Sequence, residues 1–145
     1  AAAVLAKVDE GVMKLDDSIA YTEADLLEYA PVARAHVGEG KLSIDALAEA
    51  IVTVSDNAAA NLLLARIGGP AELTAFIRRH GDDTTRLDRD EPTLNTNLPG
   101  DPRDTTTPRA MVGSMRAILT GDALQSQAFV ALANVVAGDA AATGA

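Results

Sequence analysis

The sequence predicts an all-α fold, a compact bundle of about six helices that carries one long loop. Three observations lead there. Alanine supplies much of an apolar fraction of 48%, with no Trp and only two Phe and two Tyr, a balance that favours closely packed helices over sheets. Apolar residues recur at three- and four-residue spacing, and no segment alternates convincingly, so no strands are expected. Capping residues, prolines and glycines fall where such helices begin and end. With 145 residues, no internal repeat and no linker, the chain reads as one domain, 1–145, around a single core.

Each element has its own signal. Residues 1–14 place Val4, Leu5, Val8 and Val12 near one face, with no N-cap ahead of them, as though cut from a longer helix. Thr22 followed by Asp25 resembles a capping box, and Leu26, Leu27 and Tyr29 lead to Pro31, which closes that segment. After the turn Gly38–Lys41, Ser43 is an N-cap for a stripe of Ile44, Leu47, Ile51 and Val54. A helix from about Asn57 to Ile67 turns Ala60, Leu63, Leu64 and Ile67 inward and stops at Gly68-Gly69. Pro70 starts the next helix at its favoured first position, with Leu73, Phe76 and Ile77 inward, ending at His80-Gly81. Thr107 caps and Pro108 opens a helix striped by Met111, Met115 and Ile118 that ends at Thr120-Gly121. A last helix, about Ser126 to Val136, presents Phe129, Leu132 and Val136, and the tail 137–145 is expected to be frayed.

Composition removes whole classes of function. A net charge of −9 and a pI near 4.5 exclude a nucleic-acid partner, which needs a cationic footprint. No apolar run approaches the roughly 18–20 residues that span a bilayer, so no membrane role is expected. The first residues, AAAVLAKVDEG, lack a basic region and a cleavage site for export. Without Cys there are no disulfides or thiolate metal sites, and His36 and His80 stand far apart without companion ligands. Neither GGP nor GDPRD matches a nucleotide fingerprint, so no cofactor is expected.

The chemistry concentrates in two places. Residues 86–104, RLDRDEPTLNTNLPGDPRD, form a polar loop longer than compact domains usually carry without a functional reason. It holds Glu91 before Pro92, and Asn95 one helical turn later. A glutamate there can act as general base through a water that the amide fixes, or it can be a solvated surface acid. A cis Glu91–Pro92 bond would turn the carboxylate inward. Arg89 and Asp104 bracket the loop and form either a surface pair of little worth or a buried clamp, with Arg86 and Asp88 or Asp101 as a second tie. The other place is Ser55-Asp56-Asn57, between two helices. These are standard cap and turn residues, and they also place two donors at an interhelical cleft.

Taken in order, these segments resemble the class A (serine) β-lactamase family. The resemblance rests on YTEADLLEYAPVARAHV, on VSDNAAANLLLARIGGP and on AELTAFIRRHGDDTTRLDRDEPTLNTNLPGDPRDTTTP, and it covers roughly residues 1–136. Members hydrolyse the β-lactam amide through an acyl-serine intermediate. The resemblance implies that Glu91 activates the water and Asn95 helps hold it, and that Ser55 assists proton transfer near the leaving nitrogen. It also implies that Asn57 binds the substrate's side-chain carbonyl and Tyr29 walls the cleft. Arg89 and Asp104 would clamp an omega loop, Pro92 would follow a cis bond, and Asp56 would be structural.

The family's Ser-x-x-Lys motif belongs ahead of AAAVLAKVDEG and its Lys-Thr-Gly strand beyond the last helix. Neither motif occurs in these 145 residues. The ending FVALANVVAGDAAATGA also departs from the family's usual Trp and polar turn. The chain is therefore read as an excised, engineered helical domain that serves as a folding unit or scaffold and is inactive alone. The alternative is one fragment of a split enzyme, active only when the missing α/β segments complement it. A homodimer through the face left exposed is a further expectation, and the family implies a secreted or periplasmic setting.

Overall fold

The computed structural model describes residues 1–96, 98–121, 123 and 124, so the helix expected at 126–136 and the tail 137–145 lie outside the described residues. Helix α1 (Ala2–Asp9) leads into strand β1 (Ser18–Ala20) and a one-turn 3-10 helix at Glu23–Asp25. Helix α2 (Pro31–Ala35), a second 3-10 turn at Val37–Glu39 and strand β2 (Lys41–Ser43) follow. The chain then runs through α3 (Ile44–Val54), α4 (Asn57–Ile67) and α5 (Pro70–Arg79). A third 3-10 turn at Thr93–Asn95 precedes α6 (Pro108–Thr120).

The helices start where their caps dictate. Ser43, Asp56 and Thr107 each stand outside the helical region and accept a hydrogen bond from the third residue beyond, Ala46, Ala59 and Ala110 respectively. Pro70 and Pro108 occupy first-turn positions, where a missing N–H costs nothing. Between α4 and α5 the chain reverses through Gly68 and Gly69, both at positive φ. A side chain at either would be strained in that conformation.

Two local expectations change. Pro31 opens α2 instead of closing the preceding segment. The capping box at Thr22 and Asp25 is formed, but it starts only a 3-10 turn, which ends at Leu26 in extended backbone. The structure also adds a two-stranded antiparallel sheet in register Ser18↔Ser43, Ile19↔Leu42 and Ala20↔Lys41. Three-residue strands are too short to show alternation, and their pairing is set by partners distant in sequence.

The main core lies between α1, α3 and α4, where Val4, Ile44, Leu47, Ala48, Ala50, Ala59 and Leu63 are buried together with Met13. Alanines at the facing positions allow the α3–α4 pair to approach closely. Phe76 of α5 packs with Ala3, Leu5 and Ala6 of α1, and Tyr21 packs with Ala30, Ala33 and Ala58. The Tyr21 hydroxyl donates to the Ala33 carbonyl at 2.8 Å, so its polar end is satisfied inside.

Asp56 joins these parts. Its side chain is fully buried. Oδ2 accepts the Val32 and Ala33 amides at 2.9 and 3.0 Å, and Oδ1 accepts the Ala59 amide at 2.9 Å. One carboxylate thus caps both α2 and α4. Asp56→Ala would strip three donors, two of them buried, of their acceptor. It is expected to cost about 2–4 kcal/mol, measured by urea unfolding, against about 1 kcal/mol for Thr107→Ala at a single exposed cap.

Candidate active site

The interhelical turn sets the first half of the site. Ser55 ends α3 in the left-handed region, φ 56 and ψ 42. Its amide donates to Ile51 and that of Asp56 to Ala50, so a tight reversal presents residues 55–57 together. Ser55 is exposed and Asn57 half-buried. Among the described residues no hydrogen bond engages either side chain. The Asn57 amide donates to the Tyr29 carbonyl at 3.1 Å, which brings Tyr29, 55% exposed, beside the turn.

The loop 86–104 sets the second half. Arg89 Nε donates to Asp104 Oδ2 at 2.5 Å, and the side chains are only 15% and 3% exposed. The pair is therefore largely shielded from solvent, unlike an open surface pair. Asp104, itself at φ 54, also accepts the Asp88 and Arg89 amides at 2.7 and 2.9 Å. Its own amide donates to Asp88 Oδ2 at 3.0 Å. Two aspartates thus exchange backbone bonds across the neck of the loop. The second tie runs from Arg86 Nε to Asp88 at 2.8 Å, whereas Asp101 pairs with Arg103.

Glu91 is half-buried, its bond to Pro92 is cis, and its Oε2 accepts from Asn95 Nδ2 at 2.6 Å. The side chain that holds its backbone is one the sequence did not single out. Asn61 of α4 accepts the Glu91 amide at 2.9 Å and donates to the Glu91 carbonyl at 2.8 Å. Asn61 lies one turn beyond Asn57, so α4 carries both the turn and the clasp on one face. Its only sequence signal was an amide set among the inward residues Ala60, Leu63 and Leu64. Thr74 of α5 clasps Leu87 in the same manner, donating to its carbonyl and accepting its amide, both at 3.0 Å.

Behind these clasps lies an apolar cavity of about 250 Å3, with Val4, Leu63, Leu64, Leu87, Leu94 and Glu91 in its wall. The histidines stand elsewhere: His36 Nδ1 is 2.7 Å from Glu39, and His80 Nδ1 is 2.8 Å from the Phe76 carbonyl. Among the described residues no group of His, Cys, Asp and Glu could hold a metal ion.

The sequence matches the family model of the beta-lactamase enzyme family over residues 1–139. The chain belongs to that family. It is similar to the ancestral class A β-lactamase of the last common ancestor of Gram-negative bacteria, with 54% identity and a TM-score of 0.89 over 92% of this chain and 51% of that one. It is also similar to a β-lactamase from Xanthomonas campestris, with 49% identity and a TM-score of 0.89 over 92% of this chain and 50% of that one. The chain spans about half the length of these enzymes, and its described residues are mostly helical.

Charge holds the loop neck. The Arg86 guanidinium first, and the Asp104 amide second, hold the Asp88 carboxyl down at about 2. Burial pushes Asp104 up, but the Asp88 amide and the Arg89 guanidinium and amide outweigh it and lower its pKa. A carboxyl lowered by folding stabilises above its unfolded value, about 3.9, and loses that contribution as pH falls through its folded value. The neck is therefore expected to hold at neutral pH and to loosen between about pH 4 and 2, followed by the NMR signals of the Arg89 and Asp104 amides. Signals unchanged down to the lower limit would contradict it. Asn61→Leu, which leaves both Glu91 backbone groups without their partner, is expected to cost about 2–3 kcal/mol in urea unfolding.

Proposed function

We propose that this chain supplies the water-activating half of a class A β-lactamase site. The nucleophilic serine, its lysine and the oxyanion hole belong to the segments that complete such an enzyme. The 145 residues alone form a helical folding unit that turns over no β-lactam. The observation that carries this reading is the mounting of Glu91. Its backbone is clasped at both polar groups by Asn61, its Oε2 is oriented by Asn95, and no hydrogen bond from a described residue engages Oε1.

A carboxylate so held takes a proton from a water that attacks an acyl carbonyl, and the proton returns to the departing serine oxygen. Ser55, exposed on its left-handed turn, assists proton transfer to the β-lactam nitrogen. Asn57 donates its amide to the substrate's side-chain carbonyl, and Tyr29 forms the cleft wall. Arg89 and Asp104 keep the loop shut so that Glu91 keeps its height above α4.

The second reading is a fragment active only when the missing segments complement it. Mixing this chain with the remaining segments of a class A enzyme is expected to generate hydrolysis of a chromogenic β-lactam, absent from either part alone. Glu91→Ala in the mixture is expected to lower the rate about 10²–10⁴-fold. Hydrolysis by the chain alone that survives Glu91→Ala would overturn the proposal.

A further inference from the structure

Asp82 lies where α5 gives way to the loop, and it is 5% exposed. Its Oδ1 accepts the Thr84 and Thr85 amides at 2.9 and 2.8 Å. Its Oδ2 accepts the Thr85 hydroxyl at 2.5 Å and the hydroxyl of Ser114, in the middle of α6, at 2.7 Å. An ionised carboxylate only accepts, so both hydroxyls point their protons at it. With the single Thr85 proton committed, Thr106 donates in the 2.6 Å contact between the two threonine hydroxyls. Thr106 belongs to the returning stem of the loop, where the neighbouring Thr105 carbonyl accepts the Arg86 amide at 3.0 Å. Arg78 braces the same turn, donating to the Asp82 and Thr85 carbonyls at 2.5 Å.

The buried carboxylate therefore joins the outgoing stem, at Thr84 and Thr85, to α6 at Ser114, and it reaches the returning stem through the Thr85–Thr106 hydroxyl contact. Helix α6 has no buried residue of its own, and Met111, Val112, Met115 and Leu119 are exposed along it. Ile118 packs against the cluster of Phe76 and Leu124, and among the described residues the tie of α6 to the loop base is the Ser114 hydroxyl on Asp82. Burial pushes the Asp82 carboxyl up, but the hydrogen bonds, that of the Thr85 hydroxyl first, outweigh it and hold the pKa well below the carboxylate range. The group stays an acceptor at neutral pH.

We propose that Asp82 is a positioning residue for Glu91, coupling the seating of α6, through Ser114 and Thr85, to the neck that aims the loop. The coupling runs from Thr85 and Arg86 to the Thr74 clasp on Leu87, then to Arg89 and Asp104, and ends at the Asn61 clasp on Glu91. Its importance for hydrolysis rests on the reading of Glu91 as the base, whereas its existence does not.

Amide hydrogen exchange in the 145-residue chain tests it. Asp82→Ala and Ser114→Ala are each expected to speed exchange at Leu87, Arg89 and Glu91 about tenfold, with Ala48 and Leu63 in the core changed by less than about twofold. Ser114→Ala removes one hydroxyl on a helix that, among the described residues, has no backbone bond to the loop, so it decides the matter even if Asp82→Ala fails to fold. Asp82→Asn keeps one acceptor oxygen and offers an NH2 to hydroxyls that can rotate to accept, so it is expected to recover much of the lost protection. Unchanged loop amides in Ser114→Ala, or acceleration spread equally over α3 and α4, would overturn the coupling. Because the readout is exchange and not hydrolysis, failure here is distinct from failure of Glu91→Ala to lower complemented turnover.

Discussion

The fully buried Asp56 carboxylate is the constraint on which the rest of the site hangs. A charge taken out of water is costly unless its oxygens are satisfied, and here three backbone amides satisfy them. Those amides come from the starts of two helices whose dipoles favour a negative charge at that end. The same contact fixes the angle between α2 and α4. It brings Tyr29 to the Asn57 amide and leaves Ser55 on the outside of the turn. Moving Asp56 would move α4, and with α4 goes Asn61, which holds Glu91.

The loop shows how a long irregular segment is kept in one shape. Its backbone polar groups have no ladder to join, so side chains stand in for a neighbouring strand. Asn61 and Thr74 each give and take one hydrogen bond with a single loop residue, as a paired strand would. Asp88 and Asp104 do the same for each other's amides across the neck. These ties come from α4, from α5 and from within the loop. Ordering so many residues costs much conformational entropy, and several partly buried bonds are needed to offset it.

Much of this was legible in the sequence. The N-caps Ser43 and Thr107, the prolines at 70 and 108 and the glycine pair at 68–69 marked helix limits, because capping chemistry is local, whereas Ser55-Asp56-Asn57 read only as cap and turn residues without showing which one caps. The loop and its ionic bracket were legible because length and opposite charge are visible without a partner. The small sheet was not, since three residues on each side carry no readable period. Pro31 was read as a stop because proline both ends and begins helices, and only the Asp56 carboxylate reaching back from residue 56 shows which. Asn61 and Thr74 stayed hidden for the same reason. Their partners lie 30 and 13 residues away, and an amide or hydroxyl beside an apolar stripe looks like any polar helix residue. Asp82 bonds mostly to its near neighbours Thr84 and Thr85, and its tie to Ser114, 32 residues on, had no local sign.

On the proposed reading, helix α4 also explains how a base could work from a loop. Loops move more than the elements they join, and a catalytic group must keep its place to a fraction of an ångström. Asn57 and Asn61 are four residues apart on one helix, which fixes their heights at about 6 Å along its axis. On the proposed reading the first sets where the substrate's side-chain carbonyl rests and the second sets where Glu91 stands. The distance between substrate and base is then a property of a rigid helix capped by a buried carboxylate, and the loop only has to stay clasped to it.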